Sequence, residues 1–190
     1  MTKTRLEAFS DGVIAIIITI MVLELKVPHG PNWSDLSALA PVFLSYVLSF
    51  IYIAIYWNNH HHMLHATERV NGKILWANMH LLFWLSLVPF TTGWMGENHF
   101  DPLPTVVYGC VLFFASIAYF ILSRSIQKHH GPHSKLHEAI GKDWKGKIST
   151  ALYVVAIALG FINHWVSLGI YIFVALMWVI PDRRIESRVD

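Results

Sequence analysis

The chain has 190 residues, of which 55% are hydrophobic and only 14% charged, with a mean hydropathy of +0.48 and a formal net charge of +2. Soluble domains carry nearer ~25% charged residues, and here the charges cluster between long apolar runs, which excludes an ordinary soluble domain. So small a net charge also gives no footing for nucleic acid. The one cysteine, Cys110, allows no disulfide within the chain and reads as a small buried hydrophobe.

A helix needs about 20 mostly apolar residues to cross the hydrocarbon core of a bilayer. Six stretches meet or approach that length: 6–25, 36–57, 74–94, 106–122, 148–162 and 165–180. The expected fold is therefore all-α, a polytopic membrane protein with one six-helix transmembrane domain over 1–190. In the first stretch, Lys3 and Arg5 precede an apolar run as in a secretory signal. Asp11 interrupts that run, and Glu24-Leu25-Lys26 offers no small-residue cleavage site, so a retained helix is expected. The loop 123–147, rich in His and Lys, is the largest extramembrane piece and is expected to be partly helical. The last two stretches are short and separated only by Asn163 and His164. One continuous helix would overshoot the bilayer, so a tight hairpin is expected, with Gly160 and Asn163 supplying the turn.

Orientation follows from the loop cations. Alternating six spans puts Lys3, Arg5, Arg69, Lys73, Arg124, Lys128, Lys135, Lys142, Lys145, Lys147, Arg183, Arg184 and Arg188 on one side, leaving Lys26 with Glu97 and Asp101 on the other. Both termini are thus expected on the cytoplasmic side of the cell membrane. Trp33, Trp57, Trp76, Trp94, Trp144, Trp165 and Trp178 fall near predicted helix ends, where indole rings favour the headgroup region. Trp84 is the exception.

Within the first span, Gly12, Ile16, Thr19, Ile20 and Leu23 fall inside an arc of about 100°. The span is apolar all round, so periodicity does not say which face meets lipid. Thr19 in such a helix commonly bonds to its own backbone. Asp11 is different, because an ionised carboxylate in mid-membrane costs roughly 2.5–3.5 kcal/mol. Its candidate partners are Trp57, Asn58, Asn59, His60, His61, His62 and His65 at the end of the second span, and Asn78 and His80 in the third. The expected arrangement is a buried network in which Asp11 and Ser10 bond to one or two of these histidines and to Asn78.

The twelve histidines invite a metal or haem reading. His60, His61 and His62 are consecutive and point about 100° apart on a helix, so they cannot share one ion. His61 and His65 have i, i+4 spacing, but no third ligand accompanies them. His80 and His164 lie toward opposite sides of the bilayer. His129, His130, His133 and His137 read as solvated loop residues. Thr105-Val106-Val107-Tyr108-Gly109 resembles a potassium-filter string but lacks its middle glycine and any preceding pore helix. No nucleophile triad, phosphate-cradling loop or paired-carboxylate site appears, so no enzyme, metal or cofactor is expected.

The string Arg5-x-x-x-Phe9-Ser10-Asp11 at the head of the first of six spans resembles the signature of the transmembrane protein 175 family in its prokaryotic single-repeat form. Trp57-x-x-His60-His61, Leu82-Phe83 and Pro89-Phe90-Thr91 add to the likeness. The resemblance implies a homotetramer, with the first helix of each copy lining a potassium-permeable pore that has no re-entrant filter loop. It places the constriction at Ile16, Thr19, Ile20 and Leu23, the arc isolated above. It assigns Arg5, Phe9, Ser10 and Asp11 to holding the helix in place, beside Trp57, His60, His61 and Asn78. Partners would be further copies of the chain, the lipid bilayer and monovalent cations, with K+ permeating the pore. The competing reading is a proton-coupled secondary transporter using Asp11 and the histidines, and a membrane-embedded haem or metal enzyme is a further rival.

Overall fold

The computed structural model describes residues 2–130 and 143–179, and among these every regular element is an α-helix. In chain order they are α1 (Lys3–Leu23), α2 (Trp33–Ser37), α3 (Ala40–His65), α4 (Gly72–Ser86), α5 (Val88–Glu97), α6 (Pro102–His130), α7 (Trp144–Gly160) and α8 (His164–Val179). Four helical stretches are long and apolar enough to cross a membrane: α1, α3, α4 continued through α5, and α6. α8 is a shorter apolar helix. It forms a hairpin with the 17-residue α7, turning at residues 161–163. Asn163 shapes that turn by accepting the Trp165 N–H on its side-chain oxygen at 3.1 Å.

Three spans differ from the sequence expectation. The second span begins at Ala40, because 33–37 forms a separate turn of helix whose Asp35 side chain accepts the Asn32 N–H. It then continues past Trp57 to His65. The third span is interrupted: Pro89 has no N–H to give the Leu85 carbonyl, so the helix breaks between α4 and α5. Hydroxyls from Ser86, Thr91 and Thr92 bond backbone carbonyls around the break, as a chain in hydrocarbon requires.

The fourth span runs on to His130, past the expected end at Leu122. His129 and His130 are therefore not loop residues. His130 Nε2 accepts the N–H groups of Glu68 and Arg69, each at 3.1 Å, and Asn71 Nδ2 donates to His129 Nδ1 at 3.0 Å. The end of α6 thus clasps the α3–α4 connection. The expectations for His133, His137, Lys135, Lys142, Arg183, Arg184 and Arg188 lie outside the described residues.

In the packing, α1 lies against α3, α4 and α5, while α6 is flanked by α4, α5, α7 and α8. Helices in lipid gain little from apolar contact alone and rely on small residues that let backbones approach. Gly160, expected to serve the turn, instead closes α7 onto α6: a Cβ there would stand 2.4 Å from Val106 Cγ2. Gly109 does the same for Tyr171, whose hydroxyl would meet a Cβ at 1.9 Å. Residues 105–109 are helical and packed inside α6, so their carbonyls serve the helix and not a filter. Ser49 donates to Tyr108 Oη at 3.1 Å, and Thr92 Oγ1 lies 2.6 Å from Ser49 Oγ, tying α3, α5 and α6 together.

At Gly96 the neighbour is backbone, which cannot swing aside: a Cβ there would approach the Val42 Cα to 2.8 Å and Ser45 Oγ to 2.4 Å. Gly96→Ala should destabilise by about 1–3 kcal/mol, the usual cost of overpacking, seen as a lower thermal midpoint in detergent. Gly169→Ala, with nothing within 4 Å, should leave that midpoint unchanged or raised.

Candidate functional site

α1 has two unlike faces. Leu6, Ser10, Ile14, Ile17 and Met21 recur at helical spacing and pack into the bundle. The arc picked out by helical arithmetic points away from it: Ile16 is 57% exposed, Ile20 43% and Leu23 79%, and Thr19 is exposed too. The four expected constriction residues therefore share one face that touches little of their own subunit. Thr19 Oγ1 lies 2.9 Å from the carbonyls of both Ala15 and Ile16, bonding back to its own helix. Ile16 and Ile20 line one wall of a groove of about 640 Å³, with Pro89, Phe90 and Trp94 of α5 opposite. Phe90 is itself 65% exposed, so this side of the subunit is broadly apolar and open.

The buried face is held by a directed chain of hydrogen bonds. Ser10 Oγ donates to the Leu6 carbonyl at 2.8 Å and accepts from Asn78 Nδ2 at 3.0 Å. That orients the Asn78 amide, leaving its Oδ1 to face His60 Nε2 at 2.7 Å. The proton must then sit on Nε2, and His60 Nδ1 has no partner. Ser10, Asn78 and His60 are all essentially excluded from solvent. The chain spans α1, α4 and α3 in turn.

Asp11 takes no part in it. One residue beyond Ser10 means about 100° around the helix, so Asp11 looks sideways toward α3, where Trp57 Nε1–H donates to its Oδ1 at 3.0 Å. Its partner is an indole rather than the expected histidine. Trp57 in turn stacks on His61, at 5.8 Å between ring centroids, and His61 on His65 at 6.2 Å. These rings form an exposed ladder along α3. Among the described residues no group of three or more His, Cys, Asp or Glu side chains is placed to share a metal ion. Phe9 is exposed, and Arg5 makes no hydrogen bond or ion pair among the described residues.

Two features escaped the sequence reading. Lys3 Nζ donates to the His65 carbonyl at 2.7 Å and lies 3.8 Å from Glu7. It thereby caps the end of α3, where a cation suits the helix dipole, and pins the start of α1 there. At the opposite end of α1, Lys26 pairs with Glu97 at the end of α5, and that hydrogen bond and charge raise the lysine's pKa. The first is an ordinary cap signal, a lysine near a helix terminus, but it becomes visible only once α3 is known to reach His65. His80, offered as a partner for Asp11, instead accepts from Trp84 Nε1 at 2.9 Å, and Trp84 stacks on Phe114 at 4.5 Å. That accounts for an indole placed away from the helix ends.

The family model described as the endosomal/lysosomal potassium channel TMEM175 matches residues 5–89, which hold the whole network around Ser10, Asp11, Trp57, His60 and Asn78. A potassium channel of Chryseobacterium sp. (strain P1-3) is 56% identical over 187 residues, covering 98% of this chain and 97% of that one. The crystal structure of a lysosomal potassium-selective channel TMEM175 homolog from Chamaesiphon minutus superposes with a TM-score of 0.83 at 32% identity, covering 95% of this chain and 97% of that chain. The Gallus gallus endosomal/lysosomal proton channel TMEM175 is 32% identical over 138 residues, covering 64% of this chain but only 28% of its own length. The chain belongs to the TMEM175 family of ion channels.

Proposed function

We propose that the chain is a potassium-permeable cation channel of the cell membrane. In this reading four copies, each of six spans over 1–190 with both termini cytoplasmic, bring their α1 helices to a common axis. One observation carries it: Ile16, Thr19, Ile20 and Leu23 stand exposed together while the opposite face of α1 is fixed to α3 and α4. The near full-length relatives named potassium channels support the choice of ion.

Rings of Ile16 and Leu23 would close the pore by dewetting, and a small rotation or spreading of α1 would rewet it. Between them Thr19 contributes a ring of hydroxyl oxygens to a partly hydrated ion. Potassium releases water more cheaply than sodium, which favours it at such a ring. No cofactor enters this mechanism. The transporter reading fares worse on two observations. Asp11 bonds to Trp57 and to no histidine among the described residues, and Pro89 is the single break within a span among those residues, where paired ones are expected.

The direct test is reconstitution into liposomes under a potassium gradient, with unitary current steps in planar bilayers; stepless transport or none would defeat the channel. Ile16→Asn should raise basal potassium flux several-fold by wetting the ring, and an unchanged leak would remove Ile16 from the constriction. Thr19→Ala should move the reversal potential in mixed potassium and sodium toward that of a non-selective pore. Asn78→Ala leaves both Ser10 and His60 short of a buried partner. It should cost about 1–3 kcal/mol, read as a lower thermal midpoint in detergent.

A further inference from the structure

A second cavity, of about 430 Å³, lies between α3, α6 and α7, with Trp178 of α8 at its edge. Its size falls within the roughly 300–1,000 Å³ of small-molecule sites. The walls are rings and aliphatic chains, chiefly Tyr52, Tyr56, Tyr119, Phe120, Tyr153 and Val154. It follows the chain from Asp143, which caps α7, to Val154, a rise of about 16 Å. That is close to half of a hydrocarbon core of about 30 Å, the depth of one leaflet.

Polar groups in and around it point to the kind of occupant. Tyr56 lines the cavity, is nine-tenths buried and packs edge-on against Tyr119, and its hydroxyl makes no hydrogen bond among the described residues. At the α7 end Lys147 lines the mouth. The Arg124 guanidinium lies 5.1 Å over Phe120 and the Lys145 ammonium 5.8 Å over Trp178, both rings being part of the lining. Asp143 is the one acid in that lining, and its carboxylate is engaged by the Gly146 N–H at 2.9 Å. Arg124 on α6 and Lys147 on α7 therefore stand beside an apolar slot one leaflet deep, as cations do in the basic pockets between transmembrane helices that hold anionic headgroups.

We infer that this cavity holds one acyl chain of an anionic phospholipid drawn from the leaflet at the basic end of the bundle. Its phosphate sits between Arg124 and Lys147, and an ester oxygen, one turn deeper, accepts from Tyr56. The site lies on α3, α6 and α7, apart from the conducting face of α1, so it stands or falls independently of ion conduction.

The test reconstitutes the full chain in phosphatidylcholine bilayers with and without phosphatidylglycerol, extracts it in mild detergent, and counts retained phospholipid per chain by native mass spectrometry. Wild type should retain phosphatidylglycerol in preference to phosphatidylcholine. Arg124→Gln and Lys147→Gln should each lower that preference about fivefold, the worth of one cation near a lipid headgroup. Ala151→Trp, which fills the cavity from its wall, should abolish retention while leaving the thermal midpoint in lipid-free detergent unchanged. Equal retention of the two lipids by wild type would overturn the inference, as would full retention by Ala151→Trp. If that variant fails to fold, the exposed Lys147→Gln decides, and an unchanged lipid preference there would be equally fatal.

Discussion

Hydrocarbon offers helices little reason to gather, because lipid tails are as apolar as leucine. Cohesion has to come from polar groups that find one another inside the bundle and from backbones that close up where side chains are small. The Ser10–Asn78–His60 chain meets the first need for α1. It ties three helices through bonds whose donors and acceptors admit one arrangement. Gly96, Gly109 and Gly160 meet the second elsewhere. Because each buried polar atom would pay heavily for a missing partner, the rotation of α1 about its own axis is determined at Ser10. The orientation of every other residue on that helix follows.

That rotation separates α1 into a face bound to its subunit and a face released from it. Only 28% of its most apolar stretch is buried, against 50% for the fourth span. A helix anchored by one polar chain, a lysine cap at its start and an ion pair just past its end is held at points along its length, leaving its outward side free of obligations to its own subunit. Such a helix can form a lining without surrendering its place in the bundle.

Much of this was legible in the sequence, and the failures have identifiable causes. The apolar runs showed where helices lie, and the brevity of the last two forced a hairpin. Hydropathy, however, does not register a missing amide hydrogen, so the Pro89 break was hidden inside an apolar run. Nor does it register a polar segment that stays helical because it has a tertiary job, as the end of α6 does where His130 receives Glu68 and Arg69. In the candidate site, the cost of burying Asp11 and Ser10 announced that partners must exist among Trp57, the histidines and Asn78. Assigning each partner required the rotation of the helix, and one step of 100° sent Asp11 to an indole. The exposed face was invisible to periodicity because α1 is apolar all round. It emerged from the family resemblance and from packing.

Thr19 has a consequence beyond its position. Its single hydroxyl proton is spent on the carbonyls of Ala15 and Ile16, so only lone pairs remain to face outward. Wherever copies of α1 meet, that level would present electron density with no hydrogen to offer an anion. Discrimination by sign of charge would then need no acidic side chain, only a threonine already occupied with its own backbone.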